Sequence, residues 1–184
     1  KWIDLDTKAA LLPELKLTLA ETAWLQQHQT MQIGIDIAWG PIEYLDPQTQ
    51  AYLGVASEYV AYLEQILAIT TDFNPQLNWE QVLEKIQAKQ IDFLPAVSKT
   101  PERERYLNFT RPYLKFPYVI FARDDAPIMT GIMDLIDKKI VVERHYANHE
   151  ILQANYPELE LMVVENTRQA LEILSLGQAD AYMG

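Results

Sequence analysis

The residues of this sequence best suited to binding chemistry are a serine and an arginine that follow a strand-like run. Ser98 and Arg103 come just after the predicted strand at residues 91–97. A hydroxyl and a guanidinium beyond the carboxyl end of a strand can hold a small anion at the mouth of an α/β sheet. The whole segment could equally be a solvated charged loop. The other basic residues in it are Lys99, Arg105, Arg111, Lys115 and Arg123.

Two further patterns have spacings that occur in metal or catalytic sites. His145 and His149 are four residues apart, with Glu150 next, but no third ligand accompanies them in the sequence. We therefore predict no metal site and no cofactor. Asp36 and Glu43 could form a carboxylate pair for acid–base chemistry. Because no nucleophile is visible near them, we predict that Glu43 instead accepts a hydrogen bond from the backbone of its own turn.

Composition restricts the classes of partner. The chain has 184 residues, a formal net charge of -11 and a sequence pI near 4.6. This acidity argues against binding to nucleic acid or to an anionic membrane surface. The sequence contains no cysteine, which excludes disulfides and thiolate chemistry. No apolar run approaches the roughly 18 residues of a membrane-spanning helix.

The elements that must position these residues are predicted from hydrophobic periodicity. Residues 31–36 alternate as a strand does, whereas residues 55–68 repeat with helical spacing. In the second half, strands are predicted at 117–124, 139–143 and 161–165, with a helix at 147–155 between the last two. An order of β-α-β-α-β in each half implies mostly parallel sheets with right-handed crossovers.

An internal repeat relates the two halves of the chain. Residues 78–92 align without gaps to residues 166–180, with identical residues at six positions. Each copy begins with an asparagine that can cap a helix, Asn78 or Asn166, and ends with an aspartate that opens the next strand. Two unrelated capped helices would account for part of these matches. We favour two similar α/β lobes, which account for all of them.

Several motifs resemble a known family. They are Asp36-x-x-Trp39-x-Pro41-x-Glu43-Tyr44, Thr100-x-Glu102-Arg103 and Asn108-Phe-Thr-x-Pro-Tyr113. From about residue 31 to residue 184 the chain resembles the family 3 bacterial extracellular solute-binding proteins. More narrowly, it resembles the periplasmic flytrap domains of BvgS-type hybrid sensor histidine kinases.

This resemblance implies an α/β fold of the two-lobed, periplasmic-binding-protein-like type II class. Its sheets would be mostly parallel, with flanking helices. We expect a linker and an N-terminal helix at 1–30, lobe 1 at 31–118 and lobe 2 at 119–184. Lobe 2 is expected to be incomplete, with the C-terminal return segment missing.

The resemblance also implies a ligand site. Arg103 would clamp a ligand carboxylate, and Ser98 and the backbone near Ala96 would add hydrogen bonds. Trp39 and Trp79 would form aromatic walls, although both could equally be core aromatics. Further ligand contacts are implied at a strand end of lobe 1 and in a loop of lobe 2, at Asp36, Glu143, Arg144 and Tyr146. That loop lacks the small or glycine-rich run of amino-acid binders, so the expectation of an anion is stronger than that of an amino acid.

The implied function is that of a non-enzymatic sensor domain in the periplasm, the extracytoplasmic part of an inner-membrane receptor of the histidine kinase type. It would bind a small anionic or zwitterionic solute, such as an amino acid, between its lobes and signal by lobe closure. The expected partners are that solute, an adjacent flytrap module and the transmembrane signalling portion of the same receptor. A homodimer formed through the full-length receptor is left open.

Three alternatives remain at this point. The first is a free amino-acid-binding subunit of an ABC uptake transporter. The second is a relative of dehydratases or of proteins associated with lytic transglycosylases. The third is a module that has lost ligand binding and acts by conformational coupling alone.

Overall fold

The structure is a computed structural model that describes residues 15–184, and it has two compact units. The first unit ends at Ala96, and the second spans Val97–Gly184. The predicted linker falls largely in residues 1–14, outside the described residues. The lobe limits predicted at 31–118 and 119–184 stay a prediction.

The described residues form five α-helices and nine short strands, as expected for an α/β protein. The helices are α1 Leu19–Gln27, α2 Val55–Leu67, α3 Trp79–Gln87, α4 Ala147–Asn155 and α5 Thr167–Ser175. The strands are β1 Thr30–Gln32, β2 Ala38–Trp39, β3 Glu43–Leu45, β4 Tyr52–Leu53, β5 Thr70–Asp72, β6 Ile120–Phe121, β7 Lys139–Glu143, β8 Glu160–Val164 and β9 Ala181–Met183. Two 3₁₀ helices, Arg103–Arg105 and Ile132–Leu135, complete the second unit.

The first unit has a parallel pair and a small antiparallel sheet. Strand β1 pairs with β5 in parallel, and β2, β3 and β4 form a three-stranded antiparallel sheet. Ile33, Ile35 and Val60 form a buried cluster that packs α2 onto this unit. Gly34 lies under α3, because a Cβ there would be only 2.6 Å from the side chain of Val82.

The second unit is a four-stranded sheet covered on both faces. Its strand order is β6-β9-β7-β8, with β7 parallel to both of its neighbours and β6 antiparallel to β9. Along β7, Ile140 and Val142 point to one face and pack in a cluster with Leu152 of α4. Val141 points to the other face and packs with Ala170 of α5. This alternation is the two-residue period of a strand buried on both sides.

The two copies of the internal repeat make equivalent hydrogen bonds through their asparagine and their aspartate. Asn78 and Asn166 cap α3 and α5, and each side chain accepts from a backbone N–H three residues later. At the end of the first copy, the Asp92 carboxylate accepts from the backbone N–H of Gln32 at 2.7 Å. At the end of the second copy, Asp180 accepts from Lys139 at 2.8 Å. The repeated aspartate therefore joins its helix–strand unit to β1 in the first unit and to β7 in the second.

Three strands predicted from the sequence are shorter than expected. The run at 31–36 contributes only the end of β1 and a bridge at Ile33. Residues 91–97 contribute only a parallel bridge between Phe93 and Ile33, and residues 117–124 contribute only β6. Pro95 and Pro117 lie in the latter two runs, and a proline removes the N–H donor that a continued ladder needs. Apolar, β-branched composition alone therefore overstates the length of these two strands.

Candidate functional site

The loop that enters the second unit positions Arg103. Thr100 and Arg103 are each 2% exposed, and the Thr100 hydroxyl accepts a hydrogen bond from the backbone N–H of Arg103 at 3.2 Å. This short side-chain-to-backbone bond starts the 3₁₀ helix Arg103–Arg105. The arginine side chain is thereby directed into the second unit instead of into solvent.

The guanidinium of Arg103 donates four hydrogen bonds to three partners in the same unit. Nη1 donates to the carbonyl of Ser98 at 3.0 Å, and Nη2 donates to the carbonyl of His145 at 2.7 Å. Nε and Nη2 both donate to Oε1 of Glu150, at 3.1 and 2.9 Å. A buried arginine needs such partners, because an uncompensated buried charge is strongly unfavourable.

The carboxylate of Glu150 is held by a cation and by a hydroxyl. Its Oε1 accepts from Arg103, and its Oε2 accepts from the hydroxyl of Thr100 at 2.7 Å. We call the Arg103 guanidinium and the Thr100 hydroxyl the carboxylate clamp. Charge-assisted bonds to a carboxylate are about twice as strong as neutral ones, so this arrangement is chemically suited to binding one carboxylate.

Two other basic residues of the segment, Lys99 and Arg105, have the surface roles of a solvated charged loop. Arg105 pairs with Glu102 at 2.7 Å, and the two side chains are 75% and 58% exposed. Lys99 pairs with Glu104 at 2.6 Å, also in solvent. Exposed pairs of this kind contribute about 0–1 kcal/mol. The solvated-loop interpretation thus holds for Lys99 and Arg105, while Arg103 is buried.

In the first unit, Asp36 and Glu43 form a buried turn. Oε1 of Glu43 accepts from the backbone N–H of Asp36 at 2.8 Å, which confirms the predicted backbone role of Glu43. Its Oε2 accepts from the hydroxyl of Tyr52 at 2.8 Å. Burial, with the negative charge of Asp36 adding to it, raises the pKa of Glu43 to about 8. Asp36 is 5% exposed, and its carboxylate accepts from the N–H of Ala38.

The remaining predicted site residues of the first unit lie at element ends. Trp39 ends strand β2 and Trp79 begins helix α3, both half-buried. Ala96 is buried at the end of the unit. Their contact with a ligand stays a prediction.

In the second unit, Glu143 lies at the end of β7 and is 1% exposed. Its Oε1 accepts from Tyr182 at 2.6 Å and from Thr167 at 2.8 Å, whereas its Oε2 is buried without a hydrogen-bond partner. Burial, with Glu143 next in effect, raises the pKa of Tyr182 well above its usual range.

The loop after Glu143 carries the last two predicted site residues. Arg144 is exposed and pairs with Glu165 at 2.9 Å. Tyr146 is half-buried at the N-cap of α4. Whether either of them contacts a ligand stays a prediction.

The histidine pair makes a contact within its own turn. The backbone N–H of His145 donates to Nδ1 of His149 at 3.3 Å. Burial lowers the pKa of His149, and the nearby His145 and Arg144 lower it further. Within residues 15–184 there is no group of three or more His, Asp or Glu side chains placed to hold a metal ion. No helix in that range has the length and apolarity needed to cross a bilayer.

Sequence reasoning missed two members of the clamp arrangement. Thr100 lies inside the Thr-x-Glu-Arg motif, and its position three residues before Arg103 was the available signal. Glu150 stood out only as a neighbour of the histidine pair. Its contact with Arg103 joins residues 47 positions apart, and no local pattern indicates such a pairing.

Comparison with known proteins gives consistent matches. The family model described as bacterial extracellular solute-binding proteins, family 3, matches residues 31–179. The chain is 22% identical over 161 residues to the virulence sensor protein BvgS of Bordetella pertussis, which covers 88% of this chain and 13% of that protein. It is 24% identical over 184 residues to the sensor protein EvgS of Escherichia coli O157:H7, with 98% and 15% covered. The chain therefore spans a small fraction of the length of these sensors.

Among solved structures, the sensor domain of a histidine kinase with similarity to periplasmic binding proteins superposes with a TM-score of 0.77. The two are 27% identical, and the match covers 86% of this chain and 68% of that one. This similarity confirms the predicted periplasmic-binding-protein-like fold class.

Proposed function

Because this chain belongs to the bacterial extracellular solute-binding proteins of family 3, we propose that it is a ligand-binding sensor domain of a membrane receptor of the histidine kinase type. Its similarity to two sensor proteins and to a histidine kinase sensor domain supports this assignment. The same similarity favours a periplasmic location and a binding role, with signalling output residing elsewhere in the receptor.

The observation that carries the ligand class is the carboxylate clamp. Arg103 and Thr100 are both buried and together hold a carboxylate, at 2.9 and 2.7 Å from its two oxygens. We propose that a small carboxylate-bearing solute, such as an amino acid, binds this clamp. A guanidinium suits this task because its planar donors match the two oxygens of a carboxylate.

Signalling follows from differential binding. A solute can shift a receptor only by as much as it prefers one conformation over another. A buried arginine that gains or loses a carboxylate partner changes the charge balance of the surrounding helix and loop. We propose that this change is the local event that the receptor transmits.

A solute panel tests the proposal. The purified chain is titrated with the twenty amino acids and with small mono- and dicarboxylates, and binding is measured by thermal shift and calorimetry. We expect at least one carboxylate to bind, and we expect Arg103→Ala to weaken that binding by about 100-fold, which corresponds to the loss of a charge-assisted pair.

Arg105→Ala is the matched control. It removes a neighbouring arginine that pairs only with exposed Glu102, so binding should be unchanged. Circular dichroism confirms that each variant is folded. Absence of binding by every compound, or equal binding by the two variants, would refute the assignment.

A further inference from the structure

The partners of Arg103 are of two kinds. Two are backbone carbonyls, of Ser98 and His145, whose positions are fixed by the chain. The third is the side chain of Glu150, which reaches the guanidinium from helix α4. We propose that Glu150 is an internal occupant of the carboxylate clamp, and that a solute carboxylate binds Arg103 only by displacing it.

The donor count of the guanidinium supports competition. Arginine has five N–H donors, and four hydrogen bonds to Glu150, Ser98 and His145 are already made. The two carbonyl bonds hold the guanidinium plane in place. The bonds to Glu150 therefore use the donors that a ligand carboxylate would need.

The charges of Arg103 and Glu150 also imply that a solute carboxylate must displace Glu150. The Arg103–Glu150 pair is neutral as a unit, with 2.9 Å between Nη2 and Oε1. A second carboxylate approaching Arg103 would meet the negative charge of Glu150 at close range, where like charges repel strongly in a poorly solvated site. The Thr100 hydroxyl also donates its hydrogen bond to Glu150, so one carboxylate engages both members of the clamp.

The glutamate is the member of the pair that is free to move aside. The Arg103 side chain is 2% exposed, whereas the Glu150 side chain is 23% exposed. Glu150 lies in the first turn of α4, so a rotation about its side-chain bonds frees the clamp without moving the backbone. The structure thus combines a buried arginine with a more exposed glutamate that can rotate away from it.

Displacement has a quantitative consequence. A tethered partner acts at an effective concentration on the order of millimolar or above, so it lowers the apparent affinity of a free competitor. The apparent affinity equals the intrinsic affinity multiplied by the fraction of molecules in which the clamp is open. Glu150 would therefore lower the affinity of the site for every carboxylate. It would favour solutes whose other groups make contacts that compensate for displacing Glu150 from the clamp.

This inference rests on the proposed carboxylate site, and acetate tests it independently of the natural solute. Glu150→Ala removes the atoms that acetate supplies, namely a methylene-sized carbon and a carboxylate. We expect sodium acetate, compared with sodium chloride at equal ionic strength, to raise the melting temperature of Glu150→Ala by several degrees. The wild-type chain should show no such acetate-specific rise.

Two controls make the acetate result specific. Glu104→Ala removes an exposed glutamate that pairs with Lys99, and it should not respond to acetate. The double variant Arg103→Ala/Glu150→Ala should lose the response, because the guanidinium is gone. An acetate effect that is equal in wild type, or that persists in the double variant, overturns the proposal. If Glu150→Ala fails to fold, isosteric Glu150→Gln is titrated with acetate by calorimetry, and it must bind more tightly than wild type.

The solute panel separates this inference from the proposed function. Any solute that binds the wild-type chain should bind Glu150→Gln about tenfold more tightly or better. Equal affinity would overturn the role of Glu150 and leave the proposed function intact. Specific acetate rescue with no solute bound by any variant would support the role of Glu150 and refute the proposed function.

Discussion

The hydroxyl of Tyr182 donates a hydrogen bond to Oε1 of Glu143 at 2.6 Å, inside the core of the second unit. The bond joins strand β9 to the end of β7, two neighbours in the same sheet. It partly satisfies a carboxylate that is 1% exposed and whose other oxygen has no partner. We infer that this bond is an important polar contribution to the stability of the unit.

Tyr182→Phe tests that contribution. The substitution removes a hydrogen bond to a buried carboxylate, which we expect to lower the free energy of unfolding by about 1–3 kcal/mol. Urea denaturation measures the change. Tyr118→Phe, at an exposed tyrosine of the same unit, is the control and should stay within about 0.5 kcal/mol of wild type. Similar losses in the two variants would contradict the assigned role.

Glu43 should make stability depend on pH. Its pKa is raised from 4.5 to about 8, chiefly by burial. Between these two values the folded state retains a proton that the unfolded chain has released. The free energy of unfolding should therefore fall as pH rises from about 4.5 to about 8, by an amount on the order of a few kcal/mol, and then level off.

Glu43→Gln removes this titration and keeps the shape of the side chain. Denaturation midpoints measured between pH 4 and pH 9 should fall less steeply in the variant than in wild type. Parallel pH profiles for the two proteins would show that Glu43 is not the group responsible.

The repeated aspartates should contribute equally to the two halves. The carboxylates of Asp92 and Asp180 each accept one backbone hydrogen bond, at 2.7 and 2.8 Å. Asp92→Ala and Asp180→Ala should each lower the free energy of unfolding by about 1 kcal/mol. Asp124→Ala, at an exposed aspartate, serves as the reference in the same denaturation series. A loss confined to one copy would argue against equivalent roles.

The Arg103–Glu150 pair should show strong coupling. Removing one partner leaves the other poorly compensated, and we expect Arg103→Ala to cost about 3–5 kcal/mol of unfolding free energy. The double variant with Glu150→Ala should cost less than the sum of the two single variants, by about 1–3 kcal/mol. Additive losses in the thermodynamic cycle would indicate that the two side chains do not interact in solution.

Much of the local structure was predictable because short-range chemistry sets it. Helix α2 agrees closely with its apolar period, and α3 and α5 agree with their asparagine caps. Glu43 accepts a hydrogen bond from the backbone of its own turn, as expected. The repeat also predicted that the two halves share local structure, and the aspartates of its two copies do make equivalent hydrogen bonds. Strand lengths were less predictable, because pairing depends on a partner elsewhere in the chain and Pro95 and Pro117 limit it.

The sequence by itself identified Arg103 as a candidate carboxylate-binding residue, because a guanidinium and hydroxyls after a strand form a recognisable chemical pattern. Only the tertiary structure decided what that arginine binds. The loop containing Thr100 and the first turn of α4 converge on it, and they bring Glu150 to 2.9 Å of its guanidinium. Such a contact depends on how the helix and the loop pack against each other. Local residue spacing does not predict this packing, because the two residues are 47 positions apart in the chain.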